Sequence, residues 1–514
     1  MARWLAARGE NWLLVEGPML PRDHPTLGRG LFTSKAVNRG ESLVEVSRGL
    51  IATPQSLAEE LRDALPDDVT DWGRMAVFLT LERRRGGKSE WAPYVQAMPP
   101  LEELDSTVFW SDSELALLRG SNLADVTRER RRMMAAEYDA LRPVMQSRPD
   151  LFDLVPLSES EFQHGYALVC SRAWMIEDLD HISMIPFVDF FNHDGGSISH
   201  LSYDKEAGLA YIDADRDYEP GEQVLISYGD APNATLALDF GFTLAENQHD
   251  QRAVWMPLPT ADPLKPRKAE LLRAAFDLQA TTGGDPDGGA WFTLKESKSG
   301  AAGRGEGIPR RLQAFQRVVS ATSAELDQME AATKRGKRLA SRGSLTADRE
   351  AEALLALLVR LEDMYDTCRE QEARLAELLR GGESPRNGLL GNDALKAESL
   401  EFDGDVDAGA LGLHRSVAGE GHKNEDGGSS GSRRKADNSV TAKSTRSSEH
   451  VLSDDSVGLD GEKVARRRVQ MAYDVLRGEA RVLRSAVAWL RPRSTGGGFE
   501  HLLYSGRGLA SMTR

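Results

Sequence analysis

Three short segments of this 514-residue sequence combine residue types that could carry out chemistry. The first is Gly28-Arg29-Gly30, with an acid further along the chain at Glu45. Closely spaced glycines allow a backbone to approach a ligand. However, no third glycine follows and no helix opens there, so a dinucleotide-binding fingerprint is excluded. An ordinary turn explains this segment equally well.

The second segment, residues 187–193, reads FVDFFNH and ends with Asn192 and His193. Both side chains need hydrogen-bond partners when they leave water at the end of a buried strand. The pair therefore indicates a binding site. The alternative is a turn in which Asn192 caps its own backbone and His193 faces the solvent.

The third segment is LISYG at residues 225–229, followed by DFGF at residues 239–242. Tyr228 stands at the end of a predicted strand, where a phenol hydroxyl could align a reacting group. A tyrosine in this place is also commonly part of the core, with its hydroxyl at the rim. No one of the three segments decides the function alone.

Strand patterns on both sides of a helical stretch must position these segments. Apolar alternation and turn residues predict strands around residues 28–46, 185–191, 209–212 and 224–228, a helical pattern from about 56 to 148, and a further helix over 162–174. The two groups of strands must pair across the helical insert. This order predicts an α+β fold.

The sequence changes character after about residue 250, which predicts a second domain. Helical spacing recurs over residues 271–278, 311–335 and 351–380, and again from about 462. Residues 381–460 contain one aromatic residue, Phe402, and too few apolar side chains to offset the conformational entropy of folding. We therefore predict a disordered loop there, within a domain that spans 251–500.

Composition narrows the class of partners. Acidic residues outnumber Lys and Arg by 80 to 64, a net charge of −16, which argues against a nucleic-acid or anionic-lipid partner for the chain as a whole. No apolar run is long enough to span a membrane. The two cysteines, Cys170 and Cys368, cannot form a disulfide framework or a four-cysteine zinc site, so we expect a reducing compartment and no metal.

Taken in order, the motifs GRGLF, SRAW, FVDFFNH, GEQVLISYG and N-x-x-LALDFGF resemble the SET-domain protein methyltransferases. The resemblance is to the branch of the Rubisco large-subunit lysine methyltransferase. It implies a β-rich SET core at residues 1–250 with a helical insert at about 52–165. An all-α substrate-binding domain would follow, and the cofactor would be S-adenosyl-L-methionine.

The resemblance also implies roles for single residues. Tyr228 would be the catalytic tyrosine. Asn192 and His193 would hold the methionine end and the adenine of the cofactor. The implied cofactor pocket consists of Gly28, Gly30, Glu45, Val46, Ser47, Arg172, Asn192, His193 and Phe242. The implied substrate channel is bordered by Arg172, Asp189, Ile226 and Phe240.

The implied activity is methyl transfer to a lysine of a protein substrate by a monomer that binds neither nucleic acid nor membrane. Phe240 stands where the Rubisco enzymes carry a tyrosine, and Asp194 follows the Asn-His pair. These departures leave two alternatives open: a protein-histidine methyltransferase and a non-catalytic binding module derived from a SET domain. The compartment is also open, with the cytoplasm favoured over the chloroplast and the nucleus.

Overall fold

The structure is a computed structural model that describes Trp4 and residues 17–24, 28–179, 181–276, 289–296, 308–335, 345–381 and 459–494. The strands are β1 Met19–His24, β2 Gly28–Thr33, β3 Ser42–Ser47, β4 Ala173–Ile176, β5 His181–Met184, β6 Asn192–His193, β7 Ser202–Asp204, β8 Leu209–Asp213, β9 Gln223–Ile226, β10 Gln251–Met256 and β11 Ala290–Lys295. The helices are α1 Glu59–Ala64, α2 Asp71–Arg85, α3 Ala92–Val95, α4 Asp112–Leu115, α5 Leu123–Ser147, α6 Glu159–Arg172, α7 Asn233–Thr235, α8 Lys265–Phe276, α9 Arg310–Ser320, α10 Ser323–Lys334, α11 Ala347–Arg380 and α12 Leu459–Ser494.

Two small sheets and the antiparallel pair β4–β5 form the β-rich part of the molecule. One has the order β1-β2-β9-β6, in which β6 runs parallel to β9 and the other neighbours are antiparallel. The other has the order β3-β8-β7. Alternate residues of the strands, such as Leu31, Val44 and Ile226, are fully buried in a shared core, as the period of two in a strand requires.

The helical insert lies between β3 and β4, and its last helix delivers a residue to the site. Ser158 and Glu161 form a reciprocal capping box that starts α6. The helix ends at Arg172, and the short strand β4 begins with the next residue. The end of α6 therefore fixes the position of Arg172 next to the strand that carries Trp174.

The region after residue 250 is mainly helical, and α11 packs along α12. Their apolar faces meet around Leu361 and Leu483, which are both fully buried. The same core takes in Trp110 and Leu118 from the insert. The insert thus contributes to the core of the C-terminal helices as well as to its own.

The structure confirms the α+β class and changes several details. Residues 185–191 do not form a strand, because Phe187 has a φ of 77° and a 3₁₀ turn follows it; the strand is the Asn-His pair itself. The helix expected over 162–174 ends at Arg172. Thr322 caps a new helix, so the segment 311–335 divides into α9 and α10.

The C-terminal region also opens with an antiparallel pair, β10 and β11, which sequence patterns did not indicate. The predicted loop at 381–460 lies almost wholly outside the described residues. The described helices include none long and apolar enough to cross a membrane. The division of the chain at residue 250 stays a prediction.

Candidate active site

The site is built where β6 runs beside β9, with Asn192 opposite Leu225 and His193 opposite Ile226. The Asn192 side-chain amide donates to the carbonyl of Arg29 on β2 at 3.2 Å. Gly30 is essential to this approach, since a Cβ there would lie 2.8 Å from Asn192 Nδ2 and 2.3 Å from Gln223 Nε2. Gly28 has a different role, because its φ of 70° favours glycine although the surrounding space is open.

Tyr228 lies two residues after β9, and its hydroxyl is held in one orientation. The hydroxyl donates to the carbonyl of Phe191 at 2.6 Å, and the backbone N–H of Tyr228 lies 3.1 Å from His193 Nδ1. Burial raises the pKa of Tyr228 well above that of a free phenol, and Asp189 raises it further against the opposing effect of Arg172. The phenol therefore stays protonated across the physiological range.

Aromatic rings surround the Tyr228 phenol. His193 and Phe240 each stack on it with centroids 5.0 Å apart. Trp174 and Phe242 contact it edge-on at 6.1 and 6.5 Å. These rings present apolar and π-electron surface around the hydroxyl.

A buried ion pair lies beside these rings. Arg172 Nη1 donates to the backbone carbonyl of Asp189 at 3.0 Å and to its Oδ2 at 3.3 Å. The hydroxyl of the fully buried Tyr94 donates to the same Oδ2 at 3.2 Å. Burial raises the pKa of Asp189, while Arg172 and Tyr94 act in the opposite direction.

The tautomer of His193 follows from its neighbours. Nδ1 lies 3.1 Å from the Tyr228 N–H and 3.3 Å from the Ile226 carbonyl, and it cannot satisfy both. The amide always carries its proton, so we assign Nδ1 as the acceptor and place the ring proton on Nε2. Burial lowers the pKa of His193, which favours the neutral ring.

The remaining predicted residues lie at different distances from this centre. Ile226 is fully buried and pairs with His193, so it lies beneath the site in the core. Glu45, Val46 and Ser47 lie on β3 and pair with β8 in the other sheet. The Val46 side chain is buried in the core against which Tyr228 packs.

Sequence reasoning assigned no role to three residues that the structure brings to the site: Tyr94, Trp174 and Gln223. Tyr94 comes from the insert and Trp174 from β4. Trp174 occurs within the SRAW motif that carried the family resemblance, but a motif does not reveal which side chain an aromatic residue will face. Gln223 stands within the GEQVLISYG motif, but its residue type gave no signal, because a glutamine at the start of a strand is usually exposed.

Several polar atoms at the site fit a polar cofactor and an acceptor group. Arg172 Nε, Asp189 Oδ1 and Gln223 Nε2 are buried without hydrogen-bond partners. Unsatisfied buried groups are rare and costly in folded proteins. Together these atoms match a ligand carrying both hydrogen-bonding and charged groups.

Two cavities, of about 190 and 400 Å³, lie elsewhere, on the insert. The smaller is lined by residues of α2 and α6, including Arg84 and Glu161. That arginine and glutamate already pair with each other at 2.6 Å. Among the described residues, no group of three His, Cys, Asp or Glu side chains is placed to hold a metal ion.

Residues 28–229 match the sequence model of the SET domain family. The chain carries a SET domain. This confirms the resemblance predicted from the motifs, and the matched range contains both the Asn192–His193 pair and Tyr228.

The SET domain has characterised relatives with two kinds of acceptor. The chain is 28% identical over 287 residues to the chloroplastic [fructose-bisphosphate aldolase]-lysine N-methyltransferase of Arabidopsis thaliana, covering 52% of this chain and 56% of that protein. It is 26% identical over 260 residues to the actin-histidine N-methyltransferase of Gallus gallus, covering 48% and 43%. The match thus spans about half the length of these relatives.

The fold extends beyond the SET domain. A structure of Rubisco LSMT bound to AdoMet superposes with a TM-score of 0.63 over 96% of this chain and 91% of that one, at 18% sequence identity. The agreement covers the SET domain and the C-terminal helices together, which confirms the predicted α+β fold with a helical C-terminal region; the β10–β11 pair shows that this region is not all-α.

Proposed function

We propose that this protein is an S-adenosylmethionine-dependent protein-lysine N-methyltransferase. One observation carries the proposal: the Tyr228 hydroxyl is fixed within an aromatic enclosure, next to the Arg172–Asp189 pair and the Asn192–His193 strand. Each part has a use in methyl transfer from a sulfonium to an amine. The relatives named above act on lysine or histidine side chains, which supports a protein substrate.

The residues that would hold the cofactor come from β2, β6, the start of β9, the end of α6 and the segment after Tyr228. Gly30 lets the side-chain amides of Asn192 and Gln223 pack directly on β2, where they offer donors, and Phe242 offers a face for the adenine. S-adenosylmethionine, when bound, supplies an electrophilic methyl carbon whose bonding electron pair returns to sulfur as the acceptor nitrogen attacks. Arg172 Nε is a suitable donor for a carboxylate.

The acceptor lysine must be neutral to attack. Removing its proton at pH 7 costs about 4–5 kcal/mol in water, given a pKa near 10.4. The rings of Trp174, Tyr228 and Phe240 disfavour a buried ammonium and so lower that cost. The acceptor's proton leaves to solvent before attack.

Tyr228 acts by alignment rather than as a base. Its raised pKa keeps the proton on the phenol, and the bond to the Phe191 carbonyl fixes the direction of the oxygen lone pairs. A fixed oxygen can accept a hydrogen bond from the incoming amine and orient the nitrogen lone pair towards the methyl carbon.

The test is Tyr228→Phe in the full chain, with Tyr218→Phe as the matched control. Tyr218 is buried in the apolar cluster against which Tyr228 packs, but its hydroxyl donates to Asp215 at 2.7 Å and not to a residue of the site. Tyr228→Phe should reduce methyl labelling of protein acceptors at least a hundredfold while calorimetry still detects cofactor binding. The control should keep both.

Equal labelling by the two variants would contradict the role of Tyr228. Absence of cofactor binding by the wild-type protein would instead favour a non-catalytic binding module.

A histidine acceptor is the second candidate, because Asp189 Oδ1 is unpartnered and could accept from an imidazole N–H. The two acceptors predict different pH profiles. A lysine rate should keep rising towards pH 10, whereas a histidine rate should level off above about pH 6.5. Mass spectrometry of the labelled protein identifies the residue directly.

A further inference from the structure

Three side chains on α12 stand seven residues apart: Arg467, Asp474 and Arg481. Seven residues are almost two full turns of an α-helix, so the three project from the same face. Each contacts the chain segment that follows Tyr228 and carries the site's phenylalanine rings. We call Arg467, Asp474, Gly478 and Arg481 the splint face.

The contacts follow the segment in order. Arg467 Nη2 donates to the carbonyl of Gly241 at 3.2 Å. Asp474 Oδ2 accepts from the Thr243 hydroxyl at 2.8 Å. Arg481 Nη2 donates to the carbonyl of Asn247 at 2.6 Å. One helix face therefore holds the segment at three successive points.

The C-terminal end of the splint face, around Gly478, packs without free space against the SET domain. A Cβ on Gly478 would lie 1.9 Å from Asp250 Oδ2, so the helix backbone packs directly on that carboxylate. Asp250 Oδ1 also accepts from the N–H of Asn233 at 3.0 Å. The side chain of Asn233 in turn exchanges two bonds of 2.9 Å with the backbone of Leu244.

The N-terminal end of the splint face, Arg467, contacts the backbone between the two phenylalanine rings. Gly241 separates Phe240 and Phe242, whose rings both contact Tyr228. Gly241 itself has a φ of 73°, and a Cβ there would lie 2.7 Å from the backbone nitrogen of Ser106. Because the peptide is confined on the insert side, displacement of its carbonyl must rotate or shift the adjacent rings.

We propose that the splint face positions the Phe240 and Phe242 rings against Tyr228. Through these rings, α12 would set the affinity for the cofactor and for the acceptor side chain without contacting either of them. Its members are positioning residues. The part of the proposal that concerns cofactor affinity rests on the proposed function, whereas the positioning of the segment does not.

The experiment compares Arg467→Gln with Arg466→Gln in the full chain. Arg466 is the neighbouring arginine of α12, and its side chain donates to Leu379 on α11 at 3.1 Å, away from the SET domain. Hydrogen–deuterium exchange of residues 240–247 is the first readout. Calorimetry with S-adenosylhomocysteine is the second, and the melting temperature is recorded for both variants.

Arg467→Gln should accelerate exchange in residues 240–247 about three- to tenfold and weaken S-adenosylhomocysteine by a similar factor, as expected for loss of a charge-assisted hydrogen bond. Arg466→Gln should change neither. Thr243→Val removes the hydroxyl that Asp474 accepts from without altering α12. It should give the same result if Arg467→Gln proves poorly folded.

Exchange in residues 240–247 that matches the wild type in both Arg467→Gln and Thr243→Val overturns the proposal, whatever happens to the melting temperature. The proposal is also overturned if the wild type binds S-adenosylhomocysteine and the variants exchange faster but bind it with the same affinity. The positions of the rings would then not depend on the splint face. If the wild type binds no S-adenosylhomocysteine, the proposed function fails while the exchange data still decide the positioning.

Discussion

Tyr228 depends on residues that come from separate parts of the chain. Phe191 and His193 precede it in the chain, Trp174 comes from β4, and Phe240 is the last residue of a π-helical turn. The phenol is therefore oriented by tertiary packing, not by its own strand. Substitutions at any of these positions should affect acceptor alignment more than they affect the fold of β9.

The residue scale also shows what sequence motifs can predict. Asn192, His193 and Tyr228 were singled out because the motifs that contain them, taken in order, resemble the SET-domain methyltransferases, whereas each segment alone also had an ordinary structural explanation. Trp174 and Gln223 were not, since their roles depend on which side chains meet after folding. Gly30 could be recognised as special, but the reason, the two amides packed against it, is visible only in three dimensions.

Gly30→Ala tests the space beside Asn192. The new Cβ would overlap the side-chain amides of Asn192 and Gln223, so both must move away from the predicted cofactor position. We expect the affinity for S-adenosylhomocysteine to fall at least tenfold by calorimetry, which corresponds to about 1.4 kcal/mol.

Gly49→Ala is the matched control for this change, because a Cβ there meets nothing within 4 Å. It should bind as the wild type does. Equal affinities of the two variants would mean that Gly30 does not border the cofactor.

At the scale of elements, the sequence predictions fail mainly where a regular strand or helix is interrupted. The expected strand over 185–191 is broken by Phe187, whose positive φ is unusual for a bulky side chain and cannot be inferred from residue type. The pair β10–β11 was missed because its partners are distant in sequence and each strand alone is ambiguous. The long helices α11 and α12 were predicted well, since their apolar spacing is local information.

Gly241, like Gly30, is a glycine at which a Cβ would clash with neighbouring atoms. It ends the π-helical turn Leu236–Phe240. Gly241→Ala should combine backbone strain with a clash against Ser106, whereas Gly221→Ala, at a φ of 89° with open space, should show strain alone. By urea unfolding we expect about 1 kcal/mol of destabilisation for Gly221→Ala. Gly241→Ala should cost about 1–3 kcal/mol more. Similar losses in the free energy of unfolding for both variants would mean that the contact between Gly241 and Ser106 of the insert does not confine the rings.

At the scale of the whole molecule, the SET domain and α12 meet through buried charges. Asp250 faces Arg481, Glu479 and Asp474 of α12 and the N–H of Asn233. Burial raises the pKa of Asp250 to about 7, although the Asn233 bond and Arg481 oppose the shift. This junction should therefore respond to pH.

The sign follows from proton binding. Unfolded Asp250 loses its proton near pH 4, whereas the folded protein retains that proton until about pH 7. The contribution of Asp250 to the free energy of unfolding is thus present below about pH 4 and is lost as the pH rises to about 7. Melting temperatures of the wild type and Asp250→Asn, measured between pH 4 and pH 8, isolate this contribution.

The wild type should lose more stability than Asp250→Asn over that interval. Parallel curves would mean that Asp250 is ionised throughout and that its charge is balanced by Arg481.

The position of α12 along the chain has a consequence for biosynthesis. Arg467 is translated 226 residues after Gly241, a delay of roughly 10 to 45 seconds at 5–20 residues per second. During that time the segment that bears Phe240 and Phe242 has emerged from the ribosome without the helix face that holds it. If the splint face positions the rings as proposed, a nascent chain completes its sheets well before it can bind ligand, and the proposed activity is acquired last.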